Sequence, residues 1–359
     1  MHRDNGFTVL RLAAAFLVLL THSYVLLGSP AEPFVKLTGL IPFSGLGVDA
    51  FFGLSGFLIA VSLLRQPTAM VFLRNRALRI LPALAVVVAL TVFALGPAVT
   101  TSQEYWKASG TYSYLLNATM YSWWPYLPGA FTDNPVSVVN GSLWTLAHEA
   151  SCYVLLLLIA WCGALNWRGI LVLLAISLTV YFNDAFPRYQ YLLGVELYNF
   201  NRFGCLFLSG SLLACLHRRF ALPWAKVVAF AALCVIGAFF VGQWERSAFS
   251  LIYLVSWPAF VVALAFSMTR MAWLNEYDFS YGLYLYSFPV QQLIVHVLGK
   301  EISVLTLTAL ATAVALCLAM VSWFVIEKPA LMLKGRAKPS SAIPGRSPLR
   351  DESLEQGAS

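Results

Sequence analysis

FTVLRLAAAFLVLLTHSYVLL, residues 7–27, decides how this chain must be built. It is an unbroken apolar block interrupted only by Arg11, His22 and a few neutral polar side chains. A block of about 20 such residues is what a helix needs to cross the hydrocarbon of a bilayer. No small-residue cleavage site ends it, so it reads as a first transmembrane helix and not as a signal peptide. Similar blocks recur near 44–64, 80–99, 143–162, 169–183, 199–216, 224–242, 248–268, 279–299 and 302–326. The expected fold class is all-α, a polytopic membrane helix bundle of about ten transmembrane helices.

Composition points the same way. Of 359 residues, 60% are hydrophobic and only 11% charged, against roughly a quarter charged in a soluble domain. The net charge of +7 would suit nucleic acid if the basic residues were clustered, but they lie between the spans, so no nucleic-acid partner is expected. With the N-terminus inside, sixteen Lys and Arg fall in inner segments and six in outer ones (Lys36, Lys107, Arg188, Arg202, Arg246 and Lys300), with Arg11 inside the first helix. This bias is the positive-inside signature. An even number of spans then places both termini in the cytoplasm, and the lipid bilayer in question is a bacterial inner membrane. Residues 1–334 read as one membrane domain and 335–359, rich in Pro, Ser, Gly and charge, as a disordered cytoplasmic tail. The six Cys form no CxxC pair; they read as small buried hydrophobes, and no metal site is expected.

Ionisable groups within spans are costly, and each is a functional candidate. Arg11 and His22 are eleven residues apart, which at about 100° per residue returns them to one helix face, roughly 16 Å apart along the axis. Either could instead be a paired structural group. GLGVDAFFGLSGFLI (45–59) brings Asp49 near the outer end of the second helix, as a site residue or a helix cap, and Gly53 and Gly56 onto a flat packing strip. FLRNRALRILP (72–82) sets Arg74, Arg76 and Arg79 at the inner mouth of the third. The inner loop uses Arg where Lys would serve topology equally, which suits phosphate. SLWTLAHE (142–149) ends in Glu149, at the outer start of the fourth helix, where it could meet His22 or simply favour the helix dipole. In DFSYGLYLYSFP (278–289), Ser280, Tyr284 and Ser287 form one polar stripe, for interhelical hydrogen bonds or for substrate. The outer segment 100–142 carries an aromatic run, an interfacial belt or a sugar platform, and Asn117 and Asn140 fit the N-glycosylation pattern.

In the five stretches that hold Arg11 and His22, Asp49, Arg76 and Arg79, Glu149 and Ser280, and in the closing IEKP (326–329), six motifs in order, the chain resembles the integral-membrane acyltransferase family three, whose members O-acylate polysaccharides and other cell-surface molecules. The resemblance covers about residues 7–330. It implies ten core helices, an acyl-coenzyme A donor and His22 as the essential catalytic residue. It also departs from the family at Ser287, where members often carry His, and it lacks the extracytoplasmic hydrolase-like domain fused to some relatives.

The resulting expectation is transfer of an acyl group, acetyl being the favoured one, from acyl-coenzyme A to a hydroxyl of a polysaccharide or lipid-linked glycan acceptor. His22 would be the general base and Glu149 its orienting carboxylate. Arg76 and Arg79 would bind donor phosphates, with Arg11 lining the donor's path. Asp49, Ser280 and Tyr284 would meet substrate. Acetyl-CoA would serve as a substrate, with no permanently bound cofactor. The alternative from another class is a transporter or flippase of lipid-linked sugars, which would need no thioester donor.

Overall fold

The computed structural model describes residues 5–29, 32–65, 68–268 and 276–334. The expected tail 335–359 lies outside them. Each of the ten apolar blocks is helical: α1 (Phe7–Leu26), α2 (Phe43–Arg65), α3 (Ala69–Leu90), α4 (Leu146–Trp161), α5 (Trp167–Phe182), α6 (Leu197–Arg219), α7 (Trp224–Val241), α8 (Arg246–Ser267), α9 (Ser280–Leu298) and α10 (Val304–Ser322). α3 continues through a π-helical turn to Val99, and α10 likewise to Met332. Among the described residues, seven helices are long and apolar enough to cross a membrane: α1, α2, α3, α4 with its 3₁₀ entry from Leu143, α7, α8 and α10. α5 is apolar but has 16 residues. α6 and α9, with 23 and 19 residues, are long enough but more polar, because they carry the Asn, Arg, Gln, Tyr and Ser side chains that other helices bury.

One boundary differs from expectation in a way that matters. α3 starts at Ala69, not near 80, so Arg74, Arg76 and Arg79 ride on the helix and not at its mouth. Arg, Ala and Leu are all strong helix formers, and of the three arginines Arg79 is met by carboxylates, those of Asp278 and Glu327. Pro82, Pro258 and Pro289 sit inside α3, α8 and α9, which packed membrane helices tolerate.

Two apolar cores form. One joins α2 with α4, α5, α6 and α8 and takes Phe7 and Ala14 of α1 and Phe72 and Ile80 of α3; the other joins further buried residues of α1 and α3 to α9, α10 and the segment 100–142. Val48, Phe51 and Tyr281 pack against both, so the seam between the cores runs along α2 and the start of α9. α2 packs on α6 with direct backbone approach. A Cβ built on Gly56 would lie 2.0 Å from the Phe207 carbonyl oxygen, and one on Gly210 would lie 2.1 Å from that of Gly53. With little hydrophobic drive between helices in lipid, such backbone contact is what holds them together. Gly56→Val is therefore expected to destabilise the protein by at least about 1–3 kcal/mol. Thermal unfolding in detergent measures this, and an unchanged midpoint would mean that α2 and α6 pack otherwise.

The segment 100–142 is tied down by its own polar side chains. Asn117 spans from the Tyr114 and Trp124 carbonyls to the Trp124 amide, and Asn140 donates to the Leu285 carbonyl and accepts from the Ser142 amide. Both are buried, so neither is placed to carry a glycan despite matching the acceptor pattern. Trp106, Tyr112, Trp123, Trp124 and Tyr126 of this segment remain exposed. All six Cys are free; Cys152, Cys205 and Cys215 are buried as expected, whereas Cys162 and Cys317 are exposed.

Candidate active site

Two cavities lie on the seam. One, of about 100 Å³, is lined by Arg11, Ser55, Arg76, Arg79, Glu149, Tyr153 and Ser280, among others. The other, of about 510 Å³, is lined by His22, Asp49, Ser142, Trp144, Arg202 and Phe203, among others. Val48 and Tyr284 line both. Helix α1 runs past the two, with Arg11 facing the first and His22 the second, as their shared helix face predicts. Tyr284 lies between them and its hydroxyl shares a 2.6 Å hydrogen bond with Thr145 Oγ1.

In the arginine cavity most of the charge is already matched. Asp278 Oδ2 bridges Arg11 at 2.5 Å and Arg79 at 2.6 Å, and Arg79 also reaches Glu327 Oε2 at 2.9 Å. Asp278 Oδ1 accepts from the Ser280 amide and hydroxyl, and Ser322 donates to Glu327 at 3.2 Å. The Arg79 guanidinium further sits over the Tyr281 and Trp323 rings. These contacts fit a buried network that needs all its members to offset desolvation. Arg79 therefore has little left with which to grip a donor. Arg76 is different: it lines the same cavity, makes no ion pair among the described residues, and its Nε is buried without a partner. An unpaired guanidinium facing a cavity is what an anionic ligand would complete.

Glu149 belongs to this cavity and not beside His22. Its Oε1 accepts from Ser55 at 3.1 Å and from the Tyr153 hydroxyl one turn on. The helix is entered through a 3₁₀ turn, Leu143–Thr145, and the first turn of α4 then points Glu149 at Ser55 of α2, six residues beyond Asp49. No contact joins Glu149 to His22, so the expected carboxylate–imidazole pair is not made. His148, next to it, is buried and hydrogen-bonds through Nδ1 to the Trp144 carbonyl at 3.1 Å.

In the second cavity, the His22 ring meets the Phe288 ring edge-on at a centroid distance of 4.9 Å, and its Nδ1 is buried without a partner. Ser142 Oγ, on the same cavity wall, is likewise buried and unpartnered. Asp49 is fully buried; its two oxygens take Arg202 at 2.8 and 2.6 Å, and Tyr253 donates to it at 3.0 Å. It faces the cavity as half of an ion pair and not as a free carboxylate. Ser287, where relatives often carry His, is buried and bonded to the Tyr284 carbonyl of its own helix.

The partners Asp278, Glu327 and Arg202 were not singled out from sequence. Asp278 and Glu327 stood in the quoted stretches DFSYGLYLYSFP and IEKP, but the pairs they form with Arg11 and Arg79 span 267 and 248 residues. Arg202 looked like one more outer-segment charge. Its position in a helix of polar character was the available signal.

Comparison with known proteins completes the picture. The acyltransferase domain of family three matches residues 4–327. The chain is 29% identical to a protein named O-acetyl transferase from Shigella phage Sf6, over 91% of this chain and 96% of that one. It is 30% identical to nodulation protein 10 of Rhizobium leguminosarum bv. viciae, over 93% of this chain and 94% of that one. No solved structure matches significantly. A family match from before the first helix to the end of the last, on a bundle with seven membrane-length apolar helices, makes this chain a multi-pass membrane protein that belongs to acyltransferase family three, and an acyltransferase.

Proposed function

We propose that the protein moves an acyl group, with acetyl as the expected one, from acyl-coenzyme A to a hydroxyl of a cell-surface or exported glycan. The observation that carries this reading is the pair of adjoining cavities, one facing Arg76 and Arg11, the other facing His22, with Val48 and Tyr284 common to both. In this reading all ten helices cross the bacterial inner membrane with both termini in the cytoplasm, and residues 1–334 form the acyltransferase domain with a cytoplasmic tail after it. The donor enters on the arginine side. Arg76 holds a donor phosphate, and Arg11 and Arg79 keep their network around Asp278 and shape the wall. The acceptor enters the larger cavity. His22 takes the proton of the acceptor hydroxyl as its oxygen attacks the thioester carbonyl; the C–S bond breaks, and the proton passes from His22 to the departing thiolate. Glu149, with Ser55, Tyr153 and Ser280, lines the donor side, while Val48 and Tyr284 stand between the two. The relative named O-acetyl transferase supports acetyl as the transferred group.

The test is release of free coenzyme A by purified protein given acyl-coenzyme A with and without oligosaccharide. Release that depends on the oligosaccharide is the expected result, and release without it, or none with it, rejects the reading. In the same assay Arg76→Lys, which keeps the charge but loses the planar fork, is expected to raise the KM for the donor by about tenfold, the equivalent of roughly 1.4 kcal/mol and in keeping with loss of a charge-assisted bond. Insertion into the membrane is expected to be unaffected, because Lys meets the topological need equally.

A further inference from the structure

Of the six Lys and Arg assigned to outer segments, three converge. Arg188, Arg202 and Arg246 line a third cavity, of about 280 Å³, together with Tyr181 and Ser250. They come from three separate elements: the loop after α5, the beginning of α6 and the first residue of α8. No carboxylate lines this cavity. Arg202 is balanced by Asp49 from the neighbouring side. Arg188 lies over the Tyr198 ring at 5.1 Å, and Arg246 donates to the Gly39 carbonyl at 3.3 Å; among the described residues neither makes an ion pair. Topology does not explain the cluster, because the outer side is where membrane insertion disfavours cations. Nor does stability, since like charges brought together repel. An anion from outside would resolve both. The cavity adjoins the one holding His22, with Ile41, Arg188 and Arg202 common to the two.

We propose that this pocket holds a phosphoryl group covalently attached to the acceptor, so that the acceptor is a phosphate-bearing glycan whose phosphate sits among Arg188, Arg202 and Arg246 while its reacting hydroxyl reaches His22. The inference rests on the reading of the His22 cavity as the acceptor site. The guanidinium forks of Arg188 and Arg246, which no carboxylate holds among the described residues, match phosphate oxygens bidentately and stay cationic at any physiological pH, whereas Arg202, whose two terminal nitrogens are held by Asp49, shapes the wall between the two cavities. The phosphate could belong to a lipid diphosphate at the reducing end of the glycan or to a phosphodiester within it; both present the same oxygens to the same arginines.

The experiment uses the full-length protein in nanodiscs of zwitterionic lipid with acyl-coenzyme A as donor. Three acceptors are compared: lipid-diphosphate-linked oligosaccharides extracted from the expressing cells, the same oligosaccharides released by mild acid, and those further stripped of phosphodiesters by aqueous hydrogen fluoride. KM is expected to rise by at least about tenfold when the phosphate is lost, at the mild-acid step for a lipid diphosphate and at the hydrogen fluoride step for a phosphodiester. Arg246→Gln, an exposed position at a helix start, is expected to raise KM for the phosphate-bearing acceptor by a similar factor with kcat within about twofold, and to leave KM for the phosphate-free acceptor unchanged. Lys300→Gln, an outer cation away from the pocket, is expected to change neither. Equal KM for all three acceptors overturns the inference. So does an Arg246→Gln variant that is silent on the phosphate-bearing acceptor, or one whose only defect is lost stimulation by phosphatidylglycerol nanodiscs, which would assign the pocket to a lipid headgroup. If the wild-type protein acylates none of the oligosaccharides, the glycan reading itself fails; acylation of all with equal KM sinks this inference alone.

Discussion

His22→Ala is expected to lower acyl transfer by about 10²–10⁴-fold, the usual worth of a positioned general base, while the protein still inserts, folds and binds donor. The imidazole suits the role because its unperturbed pKa is near neutrality, and it faces the larger cavity without a carboxylate of its own. Its loss should cost little stability: it makes no hydrogen bond among the described residues through the buried Nδ1, and its one ring contact is the edge of Phe288. Donor affinity should survive, since Arg76 lines the other cavity. Because Glu149 sits with Arg76 and not with His22, Glu149→Gln is expected to act on the donor side. The measurement is acylation by well-folded variant protein with donor binding determined separately. Near-normal turnover by His22→Ala would end the proposed mechanism.

Asp278→Ala should have the largest effect on stability. Its carboxylate is the shared partner of Arg11 and Arg79, whose side chains are 22% and 14% exposed, and Arg79 would be left with Glu327 alone. Removing one member of a buried ionic group strands the others and costs about 3–5 kcal/mol; the partial exposure of Arg11 argues for the lower end. Asp278→Asn keeps the shape and the bonds to Ser280 but not the charge, and should lose nearly as much. Thermal unfolding of the detergent-solubilised variants decides the matter. An unchanged midpoint with a raised donor KM would mean that Asp278 serves the substrate and not the scaffold.

The division of labour between Arg76 and Arg79 shows what a sequence can and cannot convey. Both stand in RALRILP, with equal propensity and equal claim on a phosphate. Only packing separates them: at three residues' spacing they point to neighbouring directions on α3, and Asp278 and Glu327 happen to reach one and not the other. Glu149 is a similar case. Its place in the first turn of a helix was legible, but the 3₁₀ entry that rotates it toward Ser55 and away from His22 was not.

By itself the sequence determined that this chain is a bundle of helices, where each begins and ends to within a few residues at most positions, and that Arg11 and His22 share one face of the first. Those properties depend on unbroken apolar length and on helix periodicity, which are local and need no partner. The order of its motifs also sufficed to assign the family. Tertiary structure alone decided which ionisable groups are spoken for and which face a cavity: Asp49 with Arg202, Arg79 with Asp278 and Glu327, and Arg76 left open. The physical reason is that a buried charge is satisfied by whichever opposite charge the packing brings within about 3 Å, and residues up to 267 positions apart meet there for reasons no local pattern records.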